Sequence, residues 1–226
     1  MSQFDDLNAL DFNLNYGHFN PDEIQTDETI NAVFVVDISP SVASYASELN
    51  YAFNDFVQSM QKSHVADRLL VSVIEFNEKI KARSGFQPIA QVPATQFVPS
   101  GSGTALYDAA GSAIKTAMDY RQNLEASGVM TKTLIFVITD GEDNSSKGSA
   151  KQVFNALQKI RSEEKNAFSF VTIMFGVGTS NSFEKAQKDM GFQHLARVGQ
   201  TGADMKKMIG FISQSISGAA NGNIQF

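Results

Sequence analysis

The apolar side chains of this sequence change their periodicity along the chain, and these changes predict an alternation of strands and helices. Near-continuous runs of β-branched and aromatic residues, such as INAVFVVDI and KTLIFVITD, are typical of strands that are covered on both faces. Between these runs, apolar residues recur every three or four positions, which is the spacing of an amphipathic helix. The predicted helices span residues 41–62, 104–122, 148–164, 181–190 and 202–217.

Strands that alternate with helices of this length favour parallel βαβ units. The sequence therefore predicts an α/β fold with three layers, Rossmann-like, in which helices cover both faces of a mostly parallel central sheet. One segment departs from this order. The residues NE at 77–78 are followed by KIKAR, which predicts a hairpin to a short, charged, antiparallel strand at the edge of the sheet. We expect the domain to span residues 29–218 and residues 219–226 to form a C-terminal tail.

Residues 1–28 form an N-terminal arm of a different character. The arm contains seven acidic residues and neither lysine nor arginine. Its apolar side chains alternate with polar ones at Leu10, Phe12, Leu14 and Tyr16, and this period of two is typical of a strand. An exposed strand with an apolar face tends to pair with another segment. The arm is therefore expected to dock on an edge of its own sheet, or on a neighbouring molecule, in which case the protein would self-associate. The alternative is a solvated acidic leader.

Composition and charge narrow the functional classes. The sequence contains no cysteine, which excludes disulfides, thiolate metal sites and a cysteine nucleophile. The strongly apolar runs are far shorter than the ~20 residues of a membrane span. The first residues also lack the basic and apolar regions of a signal peptide, so we expect a cytoplasmic protein without a membrane partner. A net charge of −6 and the lack of a basic stripe argue against nucleic acid as a partner.

Three predicted loops are rich in hydroxyl and carboxylate oxygens. The first, DISPS, contains Asp37, Ser39 and Ser41; the second, SGSGTALYDA, contains Thr104; and the third, ITDGEDN, contains Asp140. Taken singly, each loop has a simple structural interpretation as a helix cap or a turn. Ligands bind beyond the carboxyl ends of parallel strands, however, so we expect the three loops to meet. Two carboxylates and three hydroxyls in one place suit Mg²⁺, which prefers hard oxygen ligands and retains several waters.

Together, the three loops resemble the metal-ion-dependent adhesion site (MIDAS) of von Willebrand factor type A (VWA) domains. DISPS matches the D-x-S-x-S signature, and the threonine and the last aspartate follow in the order of that family. The resemblance implies a complete MIDAS in which Ser39, Ser41 and Thr104 touch Mg²⁺, Mn²⁺ or Ca²⁺ through their hydroxyls. It implies that Asp37 and Asp140 bind the cation directly or through water, and that a glutamate or aspartate of a partner protein takes the open position. The predicted neighbours of these ligands are Gly103, Asp108, Gly141 and Glu142.

The resemblance implies a binding module and not an enzyme. The sequence resembles cytoplasmic bacterial VWA proteins. By this resemblance, it would act as an adaptor or scaffold in a stress-response or ATPase-associated complex. The alternative is a Mg²⁺-dependent, phosphatase-like hydrolase of the haloacid-dehalogenase type, which also places an aspartate after its first strand. That chemistry needs a second aspartate two residues later as the general acid–base, and Ser39 stands at this position. The histidines lie far apart in the sequence and show no metal-ligand spacing.

Overall fold

Six strands and five α-helices make up the part of the chain that the computed structural model describes, which comprises residues 14, 17–163 and 169–222. The strands are β1 (Glu28–Asp37), β2 (Leu69–Phe76), β3 (Ile80–Pro88), β4 (Met130–Thr139), β5 (Phe170–Val177) and β6 (His194–Val198). The helices are α1 (Ala46–Gln61), α2 (Leu106–Ala126), α3 (Ala150–Ser162), α4 (Phe183–Met190) and α5 (Gly202–Ala220). Short 3₁₀ helices occur at Pro21–Glu23, Pro40–Ser44 and Ile89–Gln91.

The six strands form one sheet with the order β3-β2-β1-β4-β5-β6. Every neighbouring pair is parallel except β2 with β3, which is antiparallel. The first strand, β1, therefore lies in the middle of the sheet. The next two strands, β2 and β3, extend the sheet to one side of β1, and β4 to β6 extend it to the other. This order confirms the predicted α/β class with a mostly parallel sheet and one antiparallel edge strand. It also places a switch in winding direction between β1 and β4, where ligands of such sheets bind.

The helices cover both faces of the sheet, as predicted. Alternate side chains of a strand point to opposite faces, and in β1 this sends Phe34 and Val36 into one layer and Val33 and Val35 into the other. The first layer is closed by α1 and α5, and the second by α2, α3 and α4. The Phe34 ring lies within 5.5 Å, centroid to centroid, of three further phenylalanine rings, so burial of aromatic surface anchors the middle of the sheet.

The boundaries of several elements differ from the predicted ones. The predicted helix at 41–62 is divided, because a 3₁₀ helix starts at Pro40 and α1 begins only at Ala46. The edge strand β3 extends to Pro88 and is longer than the predicted KIKAR segment. The last helix continues to Ala220, whose side chain is buried together with that of Ala219, so the first two residues of the predicted tail belong to α5.

Among the described residues, no helix combines the length and the apolar character needed to cross a membrane.

Candidate metal centre

The candidate site lies at the carboxyl ends of β1 and β4. Asp37 is the last residue of β1, and Asp140 directly follows β4. Because these strands are parallel neighbours, with Val36 opposite Ile138, the loops that leave them lie side by side. The loop that precedes α2 is tied to the same end of the sheet, since the Ser100 N–H donates to the carbonyl oxygen of Ile38 over 2.8 Å.

The oxygens of the first and third loops converge. The hydroxyl oxygens of Ser39 and Ser41 lie 3.1 Å apart, and the Ser41 hydroxyl donates to Oδ1 of Asp140 over 2.8 Å. Asp37 is 1% exposed, and both of its carboxylate oxygens are engaged. Its Oδ1 accepts the N–H of Ser39 at 2.8 Å, and its Oδ2 accepts the hydroxyl of Thr139 at 2.6 Å. The geometry therefore assigns Asp37 to holding the first loop, with only its remaining lone pairs left for a ligand.

Thr104 brings the second loop to the same place. A Cβ built at Gly141 would lie 3.6 Å from the Thr104 hydroxyl oxygen, so the second and third loops lie close together and face each other. Thr104 is 5% exposed, and its hydroxyl makes no hydrogen bond with any residue in the described part of the chain. The structure thus places the five predicted ligands at one end of the sheet.

Neither of the hydroxyls that the sequence could explain as helix caps acts as one. Ser39 precedes the 3₁₀ helix at Pro40, but its side chain makes no capping hydrogen bond. Thr104 lies one residue outside the cap position of α2, which Ala105 occupies. The capping interpretation of these two hydroxyls is therefore wrong: that of Ser39 contacts the Ser41 hydroxyl, and that of Thr104 makes no hydrogen bond with a described residue.

The third loop is fastened to the start of α2 by side chains that bind main-chain groups. The carboxylate of Asp108, which is 4% exposed, accepts the N–H groups of Lys147 and Gly148, each at 2.8 Å. The side-chain oxygen of Asn144 accepts the N–H of Thr104 at 2.8 Å, and the main-chain N–H of Asn144 donates to the Thr104 carbonyl oxygen at 3.0 Å. These four bonds fix the distance between the second and third loops.

The other predicted neighbours have distinct surroundings. Gly103 is buried, and a Cβ at this position would force the Ser145 side chain to move, so glycine allows the two loops to approach closely. Gly141 is half-buried, and its N–H donates to the hydroxyl of Thr139 over 3.2 Å. Glu142 is exposed to solvent.

Sequence reasoning missed several residues that build the site. Thr139 holds both Asp37 and the turn at Gly141, and Asn144 joins the second and third loops. Both stand within four residues of Asp140 in the third loop, and this proximity was the only sequence signal for them. Tyr45 was also missed. Its hydroxyl is buried and has no hydrogen-bond partner among the described residues.

The site accumulates negative charge in a poorly solvated place. Burial raises the pKa of Asp37; hydrogen bonds from Thr139 and Ser39 oppose this shift, and the charge of Asp140 adds to it. Burial likewise raises the pKa of Asp140, against the hydrogen bond from Ser41. The pKa of Tyr45 is raised by burial and by both carboxylates, so its hydroxyl stays protonated. A cation among these groups would favour the ionised carboxylates.

The donor set differs from that of most transition-metal sites. No group of three or more histidine, aspartate or glutamate side chains is placed to hold a metal ion within residues 14, 17–163 and 169–222. The candidate centre instead combines two carboxylates with three hydroxyls, which are hard oxygen donors. Three of these donors already form a chain of contacts of 3.1 Å or less, and the Thr104 hydroxyl is unused by described residues. These residues fit a divalent cation that keeps part of its water shell.

Comparison with known proteins places the fold. The sequence matches no protein-family model and no curated protein. A VWA structure from Catenulispora acidiphila is similar, with a TM-score of 0.57 and 13% identity over 85% of this chain and 43% of that chain. BatB from Bacteroides thetaiotaomicron has a TM-score of 0.54 and 17% identity over 85% of this chain and 99% of that chain. Proximal thread matrix protein 1 of the mussel byssus, solved with a zinc-occupied MIDAS motif, has a TM-score of 0.52 and 16% identity over 84% of this chain and 46% of that chain.

These likenesses define the class of the fold, which is that of the VWA domain. The order of strands, the single antiparallel edge strand and the helices on both faces agree with this fold. The chain spans less than half of the length of the byssus protein and of the Catenulispora protein, and nearly all of BatB.

Proposed function

We propose that the loops after β1, before α2 and after β4 form a MIDAS that binds a divalent cation. Mg²⁺ fits the hard oxygen donors, and Mn²⁺ or Ca²⁺ would be substitutes. The cation would supply a Lewis-acidic position that accepts a carboxylate oxygen. The hydroxyls would bind it directly, whereas Asp37 would act mainly through water, because both of its oxygens already accept hydrogen bonds. The proposed ligands are Asp37, Ser39, Ser41, Thr104 and Asp140.

The proposal rests mainly on the burial of Ser39 and Thr104 and on the hydrogen bonds that their hydroxyls do not make. Ser39 and Thr104 are almost fully buried, neither caps a helix, and the Thr104 hydroxyl makes no hydrogen bond with a described residue. An oxygen that accepts no hydrogen bond from the protein keeps its lone pairs for a ligand. A cation at the meeting point of the three loops would bind these oxygens, and it would also offset the repulsion between Asp37 and Asp140.

A module of this kind would act by binding and not by catalysis. We infer that its partner is a protein that offers a glutamate or aspartate carboxylate to the open coordination position of the cation. The family resemblance favours an adaptor or scaffold role in a cytoplasmic stress-response or ATPase-associated complex. Capture of a partner in Mg²⁺ but not in EDTA, by the wild-type chain but not by Asp37→Asn, is the expected result.

The hydrolase alternative is not favoured by the site. A phosphatase of the haloacid-dehalogenase type uses an acid two residues after its nucleophilic aspartate. Ser39 stands there, and a serine hydroxyl cannot act as the acid near neutral pH. In addition, both oxygens of Asp37 accept hydrogen bonds from within the protein, so this carboxylate is poorly placed to attack a substrate.

Thr104→Val gives the sharpest test of the proposed cation site. Valine has nearly the same shape, and the lost hydroxyl makes no hydrogen bond with a described residue, so the metal-free melting temperature should change little. Mg²⁺ at 100 times its dissociation constant should stabilise the wild type by about 2.7 kcal/mol. That corresponds to a rise of about 5–10 °C in melting temperature for a chain of this size. The variant should lose most of this rise.

Glu142→Gln is the matched control, because this exposed acid lies two residues from Asp140 in the same loop. It should keep the full response to Mg²⁺. Equal rises in the wild type and in Thr104→Val would contradict the proposed ligand set, whether or not a partner protein is found.

A further inference from the structure

The outer side of β3 is an edge of the sheet that another segment can extend. β3 ends the strand order, and no described strand pairs with its outer side. Within the described part of the chain, the main-chain bond that reaches β3 from outside the sheet is the one from the Phe19 N–H to the carbonyl oxygen of Phe86, at 2.8 Å. Edge strands of this kind are templates for pairing unless something covers them.

The described end of the N-terminal arm is already fastened to this edge. The N–H of Phe86 donates to Nδ1 of His18 over 3.1 Å, so the arm satisfies both main-chain groups of Phe86. The His18 ring also stacks on Tyr120 of α2, with centroids 4.8 Å apart. The Tyr120 hydroxyl donates to the carbonyl oxygen of Phe19 over 2.9 Å. Contacts to both β3 and α2 therefore fix where the arm meets the domain.

Leu14 continues this contact toward the N-terminus. Its side chain is partly buried against the hydrophobic cluster under α2, and Ile80 at the start of β3 packs against the same cluster. Phe86 and Ile80 are six residues apart, a distance of about 20 Å along a strand. A segment of the arm of similar length that starts at His18 would reach back to about residue 12. The remaining members of the alternating set, Leu10, Phe12 and Tyr16, lie outside the described residues.

The charges of the two segments are complementary. Lys79, Lys81 and Arg83 are exposed along the outer strand and the turn that leads to it. The arm before Gly17 contains three aspartates and no basic residue. Arg83 also pairs with Glu75 of β2, which leaves the two lysines as the main source of attraction for the arm.

We propose that residues 11–16 dock in cis along the outer edge of β3 and cover that side of the sheet. The alternating apolar residues would face the cluster that Leu14 already contacts, and Asp11 would face the lysines. Cis docking is favoured because a tethered segment has a high effective concentration near its own sheet. Its consequence is protection against strand pairing between molecules. This inference is independent of the proposed cation site.

Hydrogen exchange of the full-length chain tests the proposal. Leu14→Asp should speed the exchange of main-chain N–H groups in residues 80–86 by about tenfold or more, because opening of the edge becomes easier. Lys81→Glu should produce a smaller increase that 0.5 M salt abolishes. Val98→Asp, a change at a residue that is 58% exposed on another surface, is the control and should leave this exchange unchanged.

Two outcomes would overturn the proposal. Exchange of residues 80–86 that is the same in the wild type and in Leu14→Asp would show that the arm does not cover this edge. A wild-type dimer that becomes a monomer in Leu14→Asp, measured by sedimentation, would show that the arm docks on a second copy and not on its own sheet.

Discussion

Asp108 determines how firmly the third loop is held to the rest of the site. It lies in the first turn of α2, is almost fully buried, and accepts the N–H groups of Lys147 and Gly148 with separate carboxylate oxygens. Asp108→Ala removes both acceptors and leaves two main-chain donors unpaired. Asp108→Asn keeps the shape and one acceptor, but its amide group faces one of the N–H groups. We therefore expect alanine to be worse than asparagine.

The size of the effect follows from the two lost hydrogen bonds. A buried donor that loses its partner costs about 1–3 kcal/mol. Lys147 is exposed and Gly148 half-buried, so water can reach part of the loop and the lower half of that range applies. Asp108→Ala should then lower the free energy of unfolding by about 2–4 kcal/mol. In a domain of this size, the melting temperature should fall by about 5–15 °C, and by about half as much for Asp108→Asn.

Urea denaturation gives the first measurement, and titration with Mg²⁺ gives the second. Both variants should also need more Mg²⁺ for half of the thermal shift, because a loosened third loop must be ordered before Asp140 can take part. Asp119→Ala removes a pair with Lys115 on the surface of the same helix and should change stability by no more than about 0.5 kcal/mol. If Asp108→Ala matched this control in stability, the loop would not depend on the carboxylate, and the reasoning would be refuted.

Three further predictions concern the core, the arm and the chemistry. Gly176→Ala should destabilise by about 1–3 kcal/mol in urea denaturation, because its Cβ would collide with the ring of Phe183, whereas Gly210→Ala, in open space on α5, should be neutral or stabilising. Burial lowers the pKa of His18 below 6.5, so the unfolded chain binds the proton more readily. Stability should therefore fall as the pH drops below about 6.5, and His18→Gln should flatten that fall. Generic phosphate esters should not be hydrolysed in Mg²⁺; turnover that is lost in Asp37→Asn would contradict the binding-module proposal.

The local patterns of the sequence predict the fold class because they report what each segment buries. The side chains of a run such as AVFVV point to both faces of a strand, so they are all buried only when helices cover both faces of the sheet. These runs lie in the central strands. The D-x-S-x-S pattern brings three of the candidate ligands together by spacing alone. The end of a parallel strand then fixes where they stand, which is why the neighbourhood of Asp37 and Asp140 could be predicted without coordinates.

The hydrogen bonds that hold the loops together could not be predicted, even where the residue itself was, because each joins a side chain to main-chain groups that are remote in sequence. Asp108 binds N–H groups 39 and 40 residues away. The side chains of Asn50 and Asn54 on α1 similarly bind the main-chain N–H and C=O groups of Phe97 and Thr95, and so hold the extended segment before the second loop. The periodicity of the sequence does not indicate such bonds, because many polar residues on a helix could make them and nothing in the local pattern shows which ones do.

The length of β3 was underestimated for a different reason. Glycine and proline usually weaken or end a strand, so the sequence does not predict that the SGFQP segment, with Gly85 and Pro88, belongs to β3. At an edge, proline and irregular pairing are tolerated. The ladder with β2 shifts register between Val71 and Val73 and again before Ile74, which lets the strand continue through this composition.

The candidate site also shows why its loops can be ordered before a cation arrives. Asp37 is held by Thr139 and by the N–H of Ser39, and the main chain of Thr104 is held by Asn144. Each of these supports comes from the protein, so binding of a cation would not have to supply the free energy that orders the loops. In this respect the site differs from small zinc domains, which fold only with their metal. Removal of the cation with EDTA should therefore abolish partner binding. The protein should lose only the stabilisation that the cation adds, and its unfolding should remain cooperative. A loss of cooperative unfolding in EDTA would show that the loops depend on the cation for their order.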